Sequence, residues 1–197
     1  MRANSTVSGS LYSPEGLRKY LAPGERARFI EAAWACPRVE QRTLCLTLAY
    51  TGCRISEALA LCVSSVECEE SFIAFRSLKK RKRAFVIRQV PAPAMLLGLL
   101  NAAHDLDSSD REVRLWSWSR SRAWQLVKQI MAEAEIPSGI HATPKGLRHG
   151  FGIHAIRSGV PLNLVQRWLG HARMETTAIY LQAVGLEEQE FAGRMWR

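Results

Sequence analysis

The stretch SFIAFRSLKKRKRAFVIRQV, residues 71–90, decides how the rest of the chain is read. Its two ends, SFIAF and AFVIRQV, are rich in aromatic and β-branched residues, which suit a pleated, half-buried strand. Between them RSLKKRKR, residues 76–83, carries six cations in eight positions. Two short apolar runs around a polar middle predict a β-hairpin with RSLKKRKR at its tip. Pro91 and Pro93 then end the second strand, because proline has no N–H to give to a ladder. Outside this stretch the pattern is helical, so the expected fold is mainly α with one small antiparallel β-sheet, an α+β arrangement.

Working outward, LAPGERARFIEAAWAC predicts a helix that Pro23 suits at its start, with Phe29, Ile30, Ala33 and Trp34 on one face. A second helix is expected over QRTLCLTLAY, closed by Gly52, and a third in CRISEALAL. Beyond the hairpin, PAMLLGLLNAAH and SRSRAWQLVKQIMAEAEI read as helices, the latter with Trp124, Val127, Ile130 and Met131 on one side. After IPSGIHATP come three short helical segments punctuated by glycines, GLRHGFGIHAIRSG, PLNLVQRWLGH and METTAIYLQAVG. LEEQEFAGRMW predicts a C-terminal helix. Residues 1–20, rich in Ser, Gly and Asn, read as a short N-terminal tail or loosely docked arm, with one domain over 21–197.

A chain of 197 residues with 47% hydrophobic residues supports one substantial core. No apolar run approaches the roughly 18 residues of a membrane span, and MRANSTVSGS lacks a secretory hydrophobic stretch, so a cytoplasmic protein is expected. The five cysteines, Cys36, Cys45, Cys53, Cys62 and Cys68, include no CxxC pair and no nearby histidine cluster, and are expected to be reduced and mostly buried. The formal charge of +9 favours a polyanionic partner, with nucleic acid ahead of a membrane surface.

Several short motifs carry candidate chemistry. The hairpin tip, with Lys79, Lys80, Arg81, Lys82 and Arg83, has the charge density that phosphate contacts need, and also that of an ordinary solvated surface. In TGCRISEAL, Arg54 follows a helix-ending glycine and Glu57 lies three residues on; such a pair orients helices or holds a phosphate oxygen. KGLRHGF spaces Lys145 and Arg148 by three residues. LGHARMETTAIY places His171 after a helix end and Tyr180 nine residues later.

These motifs occur in a familiar order: TGCRISEAL, SLKKRKR, TPKGLRHGF, VQRWLGH and TTAIY. Together they resemble the catalytic domain of the tyrosine recombinases, or phage-type integrases, over roughly residues 20–197. The resemblance implies a site-specific recombinase in which Tyr180 attacks a DNA phosphodiester, leaving a 3′-phosphotyrosyl bond and a free 5′-hydroxyl. It assigns Arg54 and Arg148 to the non-bridging oxygens, His171 to the same oxygens or to positioning, and Lys79, with Lys80 a close competitor, to protonation of the leaving oxygen. Lys80, Arg81, Lys82 and Arg83 would contact DNA. No cofactor or metal is implied. The partners implied are double-stranded recombination sites, a homo-tetramer on DNA and accessory DNA-bending proteins, in a bacterial cytoplasm or on a mobile element. The C-terminal segment, with Phe191, Met195 and Trp196, would dock on a neighbour or pack in cis.

Two departures stand out. The common motif is HxxR, whereas Lys145 occupies the histidine position; it is assigned to transition-state stabilisation, which leaves the acceptor of the Tyr180 proton open. His149, beside Arg148, is expected to be structural because neighbouring helical residues point about 100° apart. The second departure is that only about 20 residues precede the match, so the chain is expected either to be a natural single-domain recombinase with no separate N-terminal clamping domain or to be a truncated member of the family. A catalytically silent DNA-binding regulator and a type IB topoisomerase are the competing readings.

Overall fold

The computed structural model describes residues 10–79 and 84–183. The elements follow the order α1 (Pro23–Ala35), α2 (Val39–Thr51), α3 (Ile55–Ala58), β1 (Val66–Glu67), β2 (Phe72–Lys79), β3 (Ala84–Pro91), α4 (Ala94–His104), α5 (Arg120–Glu133), α6 (Pro144–Arg157), α7 (Leu162–Leu169) and α8 (Glu175–Ala178). A 3₁₀ turn, Ile179–Ala183, continues directly from α8. The expected mainly helical architecture with a small antiparallel sheet is what forms, with strand order β1-β2-β3.

The hairpin differs from expectation in length. Arg76 to Lys79, read as tip residues, continue β2, and the ladder runs from Phe72 opposite Pro91 to Lys79 opposite Ala84. Composition hid this because a strand with a solvated face tolerates a cation at alternate positions. Lys80, Arg81, Lys82 and Arg83 lie outside the described residues. The short strand β1 was not anticipated; two residues, Val66 and Glu67, pair with Ile73 and Phe72, too few for a sequence pattern.

Helix α2 is the centre of the larger core. Leu44, Cys45, Leu46, Leu48 and Ala49 are all buried around its circumference, as expected of a helix that is apolar on several faces. It packs against α1, α4, α5 and α6. On α1, Phe29 and Ala33 are buried with Ile30 and Trp34 at the margin, as their shared face predicts. On α5 the buried stripe is Ala123, Leu126, Val127, Ile130 and Met131. Trp124 is 44% exposed, contrary to its placement with that stripe. Small Ala123 takes the inward position, and the indole lies at the flank beneath the Lys128 ammonium, 5.9 Å from the ring centre. The cysteines are free thiols; Cys36, Cys45 and Cys53 are buried, Cys62 is partly exposed and Cys68 is exposed.

A second, smaller apolar cluster joins Leu11, Phe151, Ile153, Val165, Leu169, Ile179 and Tyr180. Leu11 and Leu21 are both almost wholly buried, and the Leu21 amide donates to the Gly146 carbonyl at 3.1 Å. Of the segment read as a tail or loosely docked arm, Leu11 thus packs in the cluster with Phe151 and Ile153 of α6. Residues 184–197, including the expected C-terminal helix, lie outside the described residues. Among the described residues, no helix is long and apolar enough to cross a membrane.

Candidate active site

The first site residue is set by the end of α2. Gly52 caps that helix with φ of 61°, a left-handed conformation that favours glycine. A Cβ there would sit 2.3 Å from Phe151 Cδ1, so both dihedral and packing demand Gly52. The chain turns sharply, and Arg54 becomes the N-cap of α3. Its backbone N–H donates to Glu57 Oε2 at 2.8 Å and its Nη1 to Glu57 Oε1 at 2.9 Å. The arginine side chain remains about half exposed, at 48%, fixed at its root and open to a ligand.

Helix α6 supplies the second group. Thr143 caps it by accepting the Gly146 N–H at 3.0 Å, and Pro144 occupies the first turn. Arg148 is buried, donating through Nη1 to the Gly52 carbonyl at 2.7 Å and through Nη2 to the Leu169 carbonyl at 2.5 Å. It thus ties the end of α2 to the end of α7. Burial, with Arg54 nearby, pushes its pKa down to about 10, which leaves it cationic at neutral pH.

Helix α7 ends at Gly170, in the left-handed conformation, and His171 follows. His171 Nδ1 lies 2.9 Å from Thr177 Oγ1, and its ring stacks on Tyr180 with centroids 6.1 Å apart and planes 22° apart. Burial, then Arg148 and Arg54, lower its pKa to about 3, so the imidazole is neutral at pH 7.

Tyr180 stands in the 3₁₀ turn with no exposed surface. Its hydroxyl is 3.1 Å from His149 Nδ1. Burial pushes the phenol up to about 12, while Arg148 and Arg54 pull the other way. The ring presses on the backbone of Gly152, where an added Cβ would fall 2.6 Å from Cζ and Cε2. Gly152→Ala is therefore expected to cost about 1–3 kcal/mol by overpacking. Gly98→Ala in α4, where nothing lies within 4 Å of the new methyl, should be neutral or stabilising by up to about 1 kcal/mol. Urea unfolding of the two variants checks the contrast.

Arg54 and His171 open onto a cleft of about 1050 Å³, whose lining also includes Glu57, Arg76, Arg88 and Arg167. Glu57 is the hub of the charge network. Besides Arg54 it accepts Arg88 Nη2 at 2.7 Å and Nη1 at 3.2 Å, and Arg148 Nη1 is 4.0 Å away. Burial would raise the Glu57 pKa, but the hydrogen bond and charge of Arg88, with the Arg54 contacts, outweigh it and hold the carboxyl below its ordinary value. Arg88, 5% exposed, also donates through Nε to the Trp168 carbonyl at 2.8 Å, joining the hairpin to α3 and to the end of α7.

The structure thus brings Arg54, Arg148, His171 and Tyr180 into one electrostatic neighbourhood. Lys145 is exposed in the first turn of α6, and its positive charge acts on the site by lowering the His149 pKa. Lys79 closes β2. Two residues were not recognised in the sequence. Arg88 is signalled only by a cation inside the apolar run AFVIRQV. His149, read as structural, meets the Tyr180 hydroxyl; the available signal was that Lys145, His149 and Gly152 recur at four- and three-residue steps on one helix face. Among the described residues, no three His, Cys, Asp or Glu side chains are grouped to hold a metal ion.

The family model described as the phage integrase family matches residues 19–185. Tyrosine recombinase XerA of Thermococcus onnurineus is 35% identical over 175 residues, 85% of this chain and 59% of the relative. Tyrosine recombinase XerD of Neisseria meningitidis serogroup A is 33% identical over 147 residues, 68% of this chain and 48% of the relative. The chain therefore spans less than two thirds of the length of these relatives. Among solved structures, a XerA recombinase crystal structure aligns with a TM-score of 0.69 at 29% identity, covering 87% of this chain and 64% of that one. The catalytic domain of bacteriophage HP1 integrase shares the fold, with a TM-score of 0.63 at 22% identity over 83% of this chain and 86% of that domain. XerH bound to its difH substrate in a pre-cleavage complex shares it too, with a TM-score of 0.71 at 19% identity over 94% of this chain and 60% of that one.

Proposed function

The chain belongs to the phage integrase family, and from that premise we propose that it is a site-specific DNA recombinase that cuts and rejoins strands through a covalent bond between Tyr180 and a 3′-phosphate. The observation that carries this reading is the convergence of Arg54, Arg148 and His171 on the surroundings of Tyr180. Both arginines act on the phenol electrostatically, and His171 both stacks on its ring and lines the cleft.

In this mechanism a DNA backbone occupies the arginine-lined cleft. Arg54, anchored at Glu57 with its guanidinium half exposed, takes a non-bridging oxygen. Arg148 adds a fixed positive charge from behind, held in place by two carbonyl oxygens. Charges already in position when negative charge gathers on the phosphorane oxygens are the form of stabilisation that contributes most to such steps. Neutral His171 donates to the same oxygens. Lys145, where the family more often has histidine, adds charge stabilisation from the first turn of α6. Lys79, on the hairpin, protonates the leaving 5′-oxygen, and Lys80, Arg81, Lys82 and Arg83 grip the flanking phosphates. A partner strand's 5′-hydroxyl reverses the attack, so exchange needs paired sites and a protein assembly of four copies, acting on DNA in the cytoplasm.

A nicked suicide duplex tests the reading, since the short downstream fragment that leaves with the free 5′-hydroxyl diffuses away and traps the adduct. Duplexes are selected from a random-sequence pool by covalent capture on the full chain. The expected result is a detergent-stable protein–DNA adduct, with Lys79→Ala slowing capture by about 10²–10⁴-fold and a 5′-bridging phosphorothiolate, whose sulfur leaves without a proton, restoring it. No adduct from any duplex would leave the silent DNA-binding reading standing. Relaxation of supercoiled plasmid without paired sites would favour the topoisomerase reading.

A further inference from the structure

We propose that His149 holds the Tyr180 hydroxyl and takes its proton as the phenolic oxygen attacks phosphorus. This rests on Tyr180 being the nucleophile, and it fills the role that a lysine at position 145 leaves vacant.

Among the described residues of the site, Lys145, His171 and His149 are the candidates for this role, and their chemistry separates them. A protonated lysine has donors and no acceptor, so Lys145 offers the phenol no lone pair while it carries its charge. His171 stacks on the face of the Tyr180 ring, and its Nδ1 is engaged by Thr177 Oγ1 at 2.9 Å. Among the described residues, His149 Nδ1 is the group seen at hydrogen-bond distance from the phenolic oxygen, 3.1 Å, with the rings 5.8 Å apart and inclined at 56°. The phenol donates to this nitrogen when the imidazole carries its own proton on Nε2. Burial, and then the charges of Lys145 and Arg148, keep the His149 pKa down at about 4, so the ring is neutral at pH 7 and its lone pair is available.

The surroundings fix this contact. His149 is the neighbour of Arg148 on α6 and one turn from Lys145, so phosphate clamp and acceptor share a rigid scaffold. Gly152, one further turn along, lets the tyrosine ring lie against the α6 backbone, which sets the height of the hydroxyl beside His149. In the step itself the Tyr180 Oη–P bond forms and the P–O5′ bond breaks. The phenolic proton passes to His149 Nδ1, and the leaving O5′ takes a proton from the hairpin lysine. A low-pKa acceptor suffices because the phenol grows acidic as its oxygen bonds to phosphorus, and the anionic phosphorane offsets the new imidazolium charge. Ligation returns the proton from His149 to the tyrosine.

The test uses the full chain and the captured nicked duplex, with His149→Ala and His149→Gln. Glutamine can accept a hydrogen bond but cannot keep a proton. Both variants are expected to form adduct about 10²-fold more slowly while binding the duplex as tightly as wild type. The acid limb of the wild-type rate against pH should disappear in both, and free imidazole should restore part of the rate to His149→Ala. Wild-type or faster adduct formation in the variants would overturn the proposal, leaving the pair as a lock on a buried tyrosine. Slower variants that keep the acid limb and ignore imidazole would also overturn it. If His149→Ala fails to fold by thermal melting, the glutamine variant decides through its pH profile. Should wild type itself form no adduct, or Tyr180→Phe form as much, the assignment of Tyr180 falls instead.

Discussion

Tyr180→Phe is expected to lower covalent capture by on the order of 10³-fold or more, while leaving the fold and duplex binding nearly unchanged. The exchange removes one oxygen. The ring keeps its seat against Gly152 and its stacking on His171, so the smaller apolar cluster remains packed. What is lost structurally is the hydroxyl contact to His149, a cost of about 1 kcal/mol that a urea titration can resolve. The cleft side chains that would meet DNA, Arg54, Arg76 and Arg167 among them, line a surface to which Tyr180 does not contribute, so a gel-shift assay should show binding preserved. Of the four tyrosines in the chain, the other three are poor substitutes. Tyr12 and Tyr20 bond to each other through their hydroxyls at 3.1 Å, and Tyr50 lies against Trp34 and Met95. Residual adduct in the variant, mapped by peptide sequencing to one of these, would move the nucleophile.

The fold was legible where one element carried its own periodicity. The switch from helical to alternating pattern at residues 71–90 located the sheet, and Gly52 and Gly170 located helix ends. Legibility failed where a decision depends on packing between distant segments. Trp124 sits on an amphipathic helix and looks like a core residue, yet its neighbour Ala123 is the one that fits against the core. The site followed the same division. Arg54 and Glu57 lie within one turn, so their ion pair could be read locally. Arg88 and Glu57 are 31 positions apart, and nothing local in AFVIRQV says which element its arginine will meet. His149 was read as structural by comparison with its neighbour Arg148, and its contact with the Tyr180 hydroxyl could not be read locally, because Tyr180 lies 31 positions along the chain; a long arginine and a short imidazole can reach one site from adjacent positions by leaving the helix in different directions.

Glu57→Ala should be the most damaging single change outside the nucleophile, and the reason lies in how many cations one carboxylate serves. Glu57 accepts from Arg54 at 2.9 Å and from Arg88 at 2.7 Å, and Arg148 stands 4.0 Å away. Without it, three guanidinium groups face one another, and Arg88, 5% exposed, loses the carboxylate that accepts from both of its Nη groups. Breaking a buried pair in this way costs about 3–5 kcal/mol, to be read from urea unfolding at pH 7. Adduct formation should fall by about 10²-fold or more, because Arg54 loses the anchor of its guanidinium and of its backbone N–H. Glu57→Gln keeps the shape of the side chain and one accepting oxygen but removes the charge and turns the other oxygen, which also accepts from Arg54 and Arg88, into a donor. The wild-type carboxyl is held below its ordinary value of 4.5, so its share of stability is present above that value and is lost as pH falls through the lowered one. Glu57→Gln should therefore be less stable than wild type at pH 7, with the gap narrowing as both are taken below pH 4. A gap that stays constant with pH would mean that hydrogen-bond geometry, and not charge, is what Glu57 contributes to the arginine cluster.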